Sequence, residues 1–121
     1  MKVLITGSRE WENIELIKKQ LENLPPNSLI IHGACRGADF IAGSVAKELG
    51  LKIKAYPAHW DLYGLAAGPK RNQQMLDENQ IDLCLVFHFD LENSKGTKDM
   101  VARCKAKGIE VRIFTGRGKN D

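Results

Sequence analysis

Two short turns carry the residue types that hold anions. His32-Gly33-Ala34-Cys35-Arg36-Gly37-Ala38-Asp39 and Ser94-Lys95-Gly96-Thr97-Lys98-Asp99 each follow an apolar, β-like run, and each opens a helical pattern. A helix N-terminus offers unpaired backbone N–H groups and the positive end of its dipole, so phosphate or carboxylate is favoured there. Glycine places no Cβ between that backbone and a bound anion. Both turns carry basic side chains. Together they predict a site for a phosphorylated small molecule.

Within these turns, Gly33, Arg36, Gly37, Asp39, Gly96 and Thr97 are the candidate ligand contacts, with Lys95 and Lys98 flanking the second. Each has a plainer alternative. Asp39 in a first helical turn also complements the dipole, and Gly96-Thr97 also reads as a simple helix cap. Asp99 could face a cleft as a general base or nucleophile, or be only a first-turn carboxylate. Gly7-Ser8-Arg9 follows the first apolar run, and Gly68-Pro69-Lys70-Arg71-Asn72 presents Arg71, a fork-shaped donor suited to phosphate or ribose, beside Asn72. Between them, Ala58 to Gly68 is long for a strand-to-helix connection. Its Trp60 and Tyr63 suit stacking against a nucleobase and equally suit covering a sheet edge; Trp11 invites the same two readings. His32, His59 and His88 lack the spacing of a zinc site, so no metal and no cofactor is expected. Cys35 at a helix entrance could be an activated thiol, but a small packing cysteine accounts for it better.

Familiar nucleotide motifs are absent. Gly33-x-x-x-Gly37 does not have the G-x-G-x-x-G spacing of a dinucleotide-binding dehydrogenase, and there is no Walker A loop. The chain has 121 residues, 43% hydrophobic and 27% charged, which fits one globular domain and excludes disordered and fibrous classes. A net charge of +3 is too small to argue for nucleic acid on its own. No apolar run approaches the roughly 18 residues of a membrane helix, and Met1 to Thr6 reads as a strand start rather than a signal peptide. Three cysteines without a C-x-x-C pair predict reduced thiols and a cytoplasmic protein.

Positioning these residues requires strands and helices in alternation. Apolar, β-branched runs at Val3–Thr6, Leu29–His32, Lys52–Tyr56, Leu83–Phe87 and Val111–Phe114 predict five strands. Between them, Ile14, Ile17, Leu21 and Leu24 recur at helical spacing before Pro25-Pro26, and Ala38, Ile41, Ala42, Val45, Ala46 and Leu49 form a small-residue stripe ending at Gly50. A third helix is expected from Pro69 to Glu78, with Pro69 as its first residue, and a fourth carries Met100, Val101 and Cys104 inward and ends at Gly108. This alternation predicts right-handed βαβ crossovers and a mainly parallel sheet with helices on both faces. One domain is expected over residues 1–115, with a frayed tail at 116–121. The polar, glycine-bearing segments all fall at the carboxyl ends of the strands, where open parallel sheets bind ligands.

Met1 to Arg9, His32 to Asp39, Pro57 to Met75 and Ser94 to Met100 together resemble the YspA/YpsA-related branch of the SLOG superfamily. The combination of Gly-Ala-x-Arg-Gly-Ala-Asp, Ala-Gly-Pro-x-Arg-Asn and Lys-Gly-Thr-x-Asp carries the resemblance. It implies a Rossmann-like fold and a nucleotide or nucleotide-derived ligand. The superfamily includes phosphoribohydrolases that release bases from nucleoside monophosphates, single-strand-binding DNA-processing proteins and proposed sensor domains. The phosphoribohydrolase motif Pro-Gly-Gly-x-Gly-Thr-x-x-Glu is kept here only as Gly96-Thr97; Met100 stands at its glutamate, and Asp99 lies one position earlier. The family's catalytic arginine is followed four residues later by methionine, as Arg71 is by Met75. The resemblance thus implies Arg71 and Asp99 as catalytic residues, with Gly7, Ser8 and Gly33 to Gly37 lining the floor. Three functions compete: an N-glycosidic hydrolase, a non-catalytic nucleotide sensor, and a single-strand binder, which ranks below a small ligand. The oligomeric state is left open.

Overall fold

The computed structural model describes residues 1–116. Five strands, β1 (Lys2–Gly7), β2 (Leu29–His32), β3 (Lys52–Ala55), β4 (Leu83–Phe87) and β5 (Glu110–Phe114), form one sheet in the order β3-β2-β1-β4-β5. Every neighbouring pair is parallel. The chain order reverses between β1 and β4, so the cleft of an α/β sheet must open beyond Gly7 and Phe87, which pair in register.

The period-two pattern of the strands separates two cores. Val3, Ile5, Ile30, Leu83, Leu85 and Phe87 face α1 (Ile14–Glu22) and α2 (Ala38–Glu48). Leu4, Ile31, Cys84 and Val86 face the opposite layer, where they meet Met75, Leu76, Met100, Val101 and Cys104. Those five come from α4 (Ala67–Asp77) and α5 (Gly96–Ala106). A fully buried leucine or isoleucine contributes about 1.5–3 kcal/mol, so the central strands carry most of the stability. Asn13 Oδ1 caps α1 by accepting the Leu16 N–H at 3.2 Å. Gly50 and Gly108, with φ of 76° and 75°, follow α2 and α5 where a left-handed residue ends a helix. The edge strands carry Lys52 and Lys54 on β3 and Glu110 and Arg112 on β5, charges that discourage further strand pairing.

The expected elements differ in detail. The third predicted helix begins at Ala67 and ends at Asp77, so Pro69 is its third residue. Its missing N–H costs nothing there, because the first turn has no intrahelical acceptor. The long connection before it is ordered as α3 (Trp60–Tyr63) and a single 3-10 turn (Gly64–Ala66). Tyr56 lies beyond β3, although its N–H still reaches the His32 carbonyl at 2.8 Å. Trp11 is buried in the first core, its Nε1 donating to the Asn13 carbonyl at 2.9 Å. At the expected tail, Gly116 lies against α1, where an added Cβ would come within 3.0 Å of Leu16 Cδ2. Residues 117–121 of that tail lie outside the described residues.

Candidate functional site

At the point of strand reversal the chain must turn tightly, and Gly7 allows it. A Cβ there would stand 2.2 Å from the Phe87 carbonyl oxygen and 2.7 Å from Ala38 Cβ. Thr97, buried in the first turn of α5, donates its hydroxyl to the Gly7 carbonyl at 3.1 Å and so pins α5 to the end of β1. Beyond this junction lies a cavity of about 720 Å³, within the range of small-ligand sites.

The α5 turn faces this cavity. Ser94 Oγ accepts the Thr97 N–H at 3.1 Å, which makes Ser94 the side-chain cap of the helix. Gly96 lines the cavity, and a Cβ added there would meet nothing within 4 Å. Gly50, Gly64 and Gly108 share that open space, but positive φ explains each of them. Gly96 has no such conformation, so nothing in the fold requires it to lack a side chain.

The α2 turn is built differently. Ala34 and Gly37 have φ of 58° and 77°, and the helix entrance is filled by the chain itself: the Ala38 N–H donates to the Ser8 carbonyl at 3.0 Å. A Cβ on Gly37 would lie 2.3 Å from that same oxygen. Asp39 turns back inside the loop, where Oδ2 accepts the N–H groups of Gly33 at 3.0 Å and Cys35 at 3.3 Å. Burial pushes its carboxyl up to about 6, opposed by the Cys35 N–H, the Arg71 charge, the Gly33 N–H and Arg9. His32 beneath it accepts the Ala34 N–H on Nδ1 at 3.0 Å, and burial together with Arg71 lowers its pKa.

Arg71 and Asn72 tie the two turns together. Arg71 Nη1 donates to the carbonyls of Gly33 and Tyr56, and Nε donates to Asn72 Oδ1 at 3.0 Å. Asn72 Nδ2 in turn donates to Asp99 Oδ2 at 3.0 Å. That oxygen also accepts Arg103 Nε at 2.8 Å, while Arg103 Nη1 reaches Gln73 Oε1 at 2.6 Å. The chain of bonds fixes α4 against α5 and holds Asp99 at the cavity wall. Such a carboxylate can balance positive charge, but half of its lone-pair capacity is already engaged.

Of the residues singled out from the sequence, Gly7, Ser8, Arg9, Gly33, Asp39, Trp60, Arg71, Asn72, Gly96, Thr97 and Asp99 line this one cavity. Arg36 and Gly37 do not. Arg36 pairs with Glu10 at 2.7 Å on the surface, and both line a separate outer groove beside Phe40. Lys98 is drawn to Glu92 at 3.6 Å, whereas Lys95 lines the cavity. Trp60 lies over Gly68, where an added Cβ would come within 3.2 Å of its ring, and the Arg9 guanidinium stands 6.0 Å from the ring centroid. The spacing gave no signal for Glu10 or Leu65, which also line the wall, as does His88, considered from the sequence only as a metal ligand. His88 Nδ1 accepts the Asp90 N–H at 2.9 Å, and burial lowers its pKa against the pull of Asp90. Among the described residues, no helix is long and apolar enough to cross a membrane, and Cys35, Cys84 and Cys104 are unpaired.

The signature of the YspA, cpYpsA-related SLOG family matches residues 1–63, from β1 through the α2 turn to α3. The chain belongs to this family. The chain is also 33% identical over 122 residues to the Gene 61 protein of Mycobacterium phage D29, a match covering 93% of this chain and 95% of that protein. The matched signature of this SLOG domain includes the β1 and α2 turns but stops before α4 and α5. Arg71, Asn72, Gly96, Thr97 and Asp99 are therefore placed by the geometry alone.

Proposed function

We propose that this SLOG domain binds a nucleoside 5′-monophosphate, or a ligand derived from one, with its phosphate on the N-terminus of α5. The observation that carries the reading is Gly96: it lines the cavity at a helix N-terminus, no internal contact or positive φ accounts for it, and an alanine Cβ would project into free space. Lys95 supplies charge at the same turn. The ribose would extend toward Asp99 and Arg71, and the base toward Trp60 and Leu65, an exposed aromatic and aliphatic wall. Glu10, Asp39 and Asp99 also line the cavity, and this acidic share favours a single small ligand over a continuous polyanionic strand.

Calorimetry and thermal shift against a panel of nucleotides test the reading. A ligand at about 100 times its Kd should stabilise the domain by about 2.7 kcal/mol. Gly96→Ala should cut that response by about half or more at the same ligand concentration, while leaving the ligand-free domain folded. An undiminished nucleotide response in Gly96→Ala would place the phosphate elsewhere. A single-stranded oligonucleotide that bound at submicromolar Kd, with a steep salt dependence, would replace the small ligand with a strand.

A second reading, release of a free base, has one observation in its favour. Asp99 is held at the cavity wall by Asn72 and Arg103, one turn inside the phosphate turn. In that place it can stabilise positive charge developing on the ribose or orient a water. Chromatography of nucleotides after incubation separates the two readings: base release that is abolished in Asp99→Asn makes the domain a hydrolase, and binding without release makes it a sensor.

A further inference from the structure

The cavity just described has both signs of charge on its wall: Arg9, Arg71 and Lys95 against Glu10, Asp39 and Asp99. A smaller groove on the other side of Arg71 does not. It encloses about 400 Å³ and is lined by His59, Tyr63, Lys70, Arg71 and Gln74, together with Pro57 and Ala67, and it has no carboxylate on its wall. Helical spacing explains the grouping, since Ala67, Lys70, Arg71 and Gln74 fall on one face of α4. α3 closes the other side with Tyr63, and the segment before it supplies His59.

Two cations meet in this groove without an acidic partner. Arg71 is 9% exposed, yet its hydrogen bonds go to neutral groups, the oxygens of Gly33, Tyr56 and Asn72 and the Cys35 sulfur. Among the described residues no ion pair involves Arg71 or Lys70. Asp39 acts on Arg71 only through space. The Arg71 Nη2 group makes no hydrogen bond among the described residues. Lys70 Nζ is held 4.9 Å from the centroid of the Tyr63 ring, which orients the ammonium without neutralising it. Gln74 is turned away toward Glu78 at 2.9 Å, so the two cations dominate the wall. A desolvated guanidinium and an unpaired ammonium converging on one concavity favour a compact anion that accepts from both.

We propose that this groove is a second oxyanion site, selective for a phosphate group, with Lys70 and Arg71 as its ligands and His59 as a further donor. It is a cavity separate from the nucleotide site on α5, with Arg71 part of both walls. The shared chemistry is a phosphate, either free or at the far end of a nucleotide.

Inorganic phosphate titrated into the 121-residue chain, followed by backbone amide resonances, tests the proposal. Saturable shifts at His59, Lys70 and Gln74 are expected. In Lys70→Gln the same titration should show a Kd at least about tenfold weaker, the loss expected of a charge-assisted hydrogen bond. Lys70 is exposed, and an unchanged amide spectrum elsewhere shows that the variant is folded. Repeating the titration with saturating nucleoside monophosphate identifies the source. Further shifts on adding phosphate mean free phosphate fills the groove. Because the monophosphate's one phosphate is placed on α5, the nucleotide arm uses a nucleoside 3′,5′-bisphosphate, and groove shifts produced by it alone mean the nucleotide supplies the group. Shifts that rise without saturating, that are confined to Gly96–Lys98, or that keep their wild-type Kd in Lys70→Gln would overturn the proposal. Loss of the Gly96–Lys98 response alone would refute the nucleotide reading and leave this one standing.

Discussion

The α2 and α5 turns look alike in sequence and differ in what fills them. Both place glycine and basic residues between a strand and a helix at the same rim of the sheet. At α2 the entrance is occupied by the protein: the Ser8 carbonyl takes the Ala38 N–H, and the Asp39 carboxyl takes those of Gly33 and Cys35. At α5 the filling is one hydroxyl, Ser94 Oγ on the Thr97 N–H, and Gly96 faces free space. A helix N-terminus attracts an anion in either case. At α2 the chain supplies its own acceptors, and at α5 the space beside Gly96 stays open. One turn is therefore structural and the other is the proposed phosphate site.

The largest effect should come from the closed turn. Gly37→Ala places a Cβ 2.3 Å from the Ser8 carbonyl oxygen at a φ of +77°, so the backbone must shift and the conformation is strained as well. Strain of this kind costs about 1–3 kcal/mol before the clash is added, which puts the expected loss at about 3 kcal/mol or more. Urea unfolding measures it. A loss under about 1 kcal/mol, the ordinary size for a surface change, would mean that the α2 turn is not the rigid, self-filled element described above.

Asp39 gives the next largest effect, and it depends on pH. Its carboxyl titrates near 6 in the folded chain against an ordinary value of 3.8. Between those values the native state holds the proton that the unfolded state has lost, so Asp39's contribution to stability falls as pH rises through this window. Above pH 6 the full cost applies, about 3 kcal/mol at 1.36 kcal/mol per unit. Asp39→Asn keeps an oxygen for the Gly33 and Cys35 N–H groups and removes the ionisation. The variant should therefore gain on wild type as pH rises from 4 to 7. His32, held neutral by burial and Arg71, favours the fold in the opposite sense as pH rises through 6.5. That slope is common to both proteins and cancels in their difference. A difference that stays flat with pH would mean that Asp39 is ionised in the native state without cost.

At the open turn the balance between stability and binding reverses. Gly96→Ala puts a better helix former into α5 with nothing in its way, so the ligand-free domain should gain about 0.5–1 kcal/mol. Nucleotide affinity should fall at least about tenfold, or 1.4 kcal/mol, because the Cβ occupies the line of approach to the backbone. Paired unfolding and calorimetry would show both signs in one variant. Lost stability with unchanged affinity would return Gly96 to an ordinary helical role.

What the sequence made legible follows from local rules. Alternating strands and amphipathic helices set the parallel sheet, and the placement of glycines and cations at the strand ends pointed to the rim where the cavity of about 720 Å³ opens. Arg71 was legible as a donor, but its dependence on the carbonyls of Gly33 and Tyr56 was not, because the donor and its two acceptors come from three separate segments. Asp39 read as a dipole partner or a ligand contact; only the folded loop, with φ of 58° at Ala34, turns it inward onto backbone N–H groups. Arg36 was misleading for the same reason. A basic residue in a glycine turn resembles an anion ligand until the turn's geometry sends it outward to Glu10. The order inside the long connection was hidden because α3 has no buried residue and so leaves no apolar stripe to read.

The smallest effect discriminates most finely between a cap and a phosphate site. Ser94→Ala removes the hydroxyl that accepts the Thr97 N–H, which should cost the ligand-free domain about 1 kcal/mol. A phosphate bound at this turn would take that same N–H, and in wild type it must displace Ser94 Oγ to do so. In the variant the donor is already free. Saturating nucleotide should therefore narrow the gap in Tm between variant and wild type, and by linkage the variant should bind nucleotide at least as tightly as wild type does. If the phosphate rests elsewhere, the cap is missing equally in the free and bound states. The gap would then persist unchanged at every nucleotide concentration, and the α5 turn would be a capped helix and nothing more.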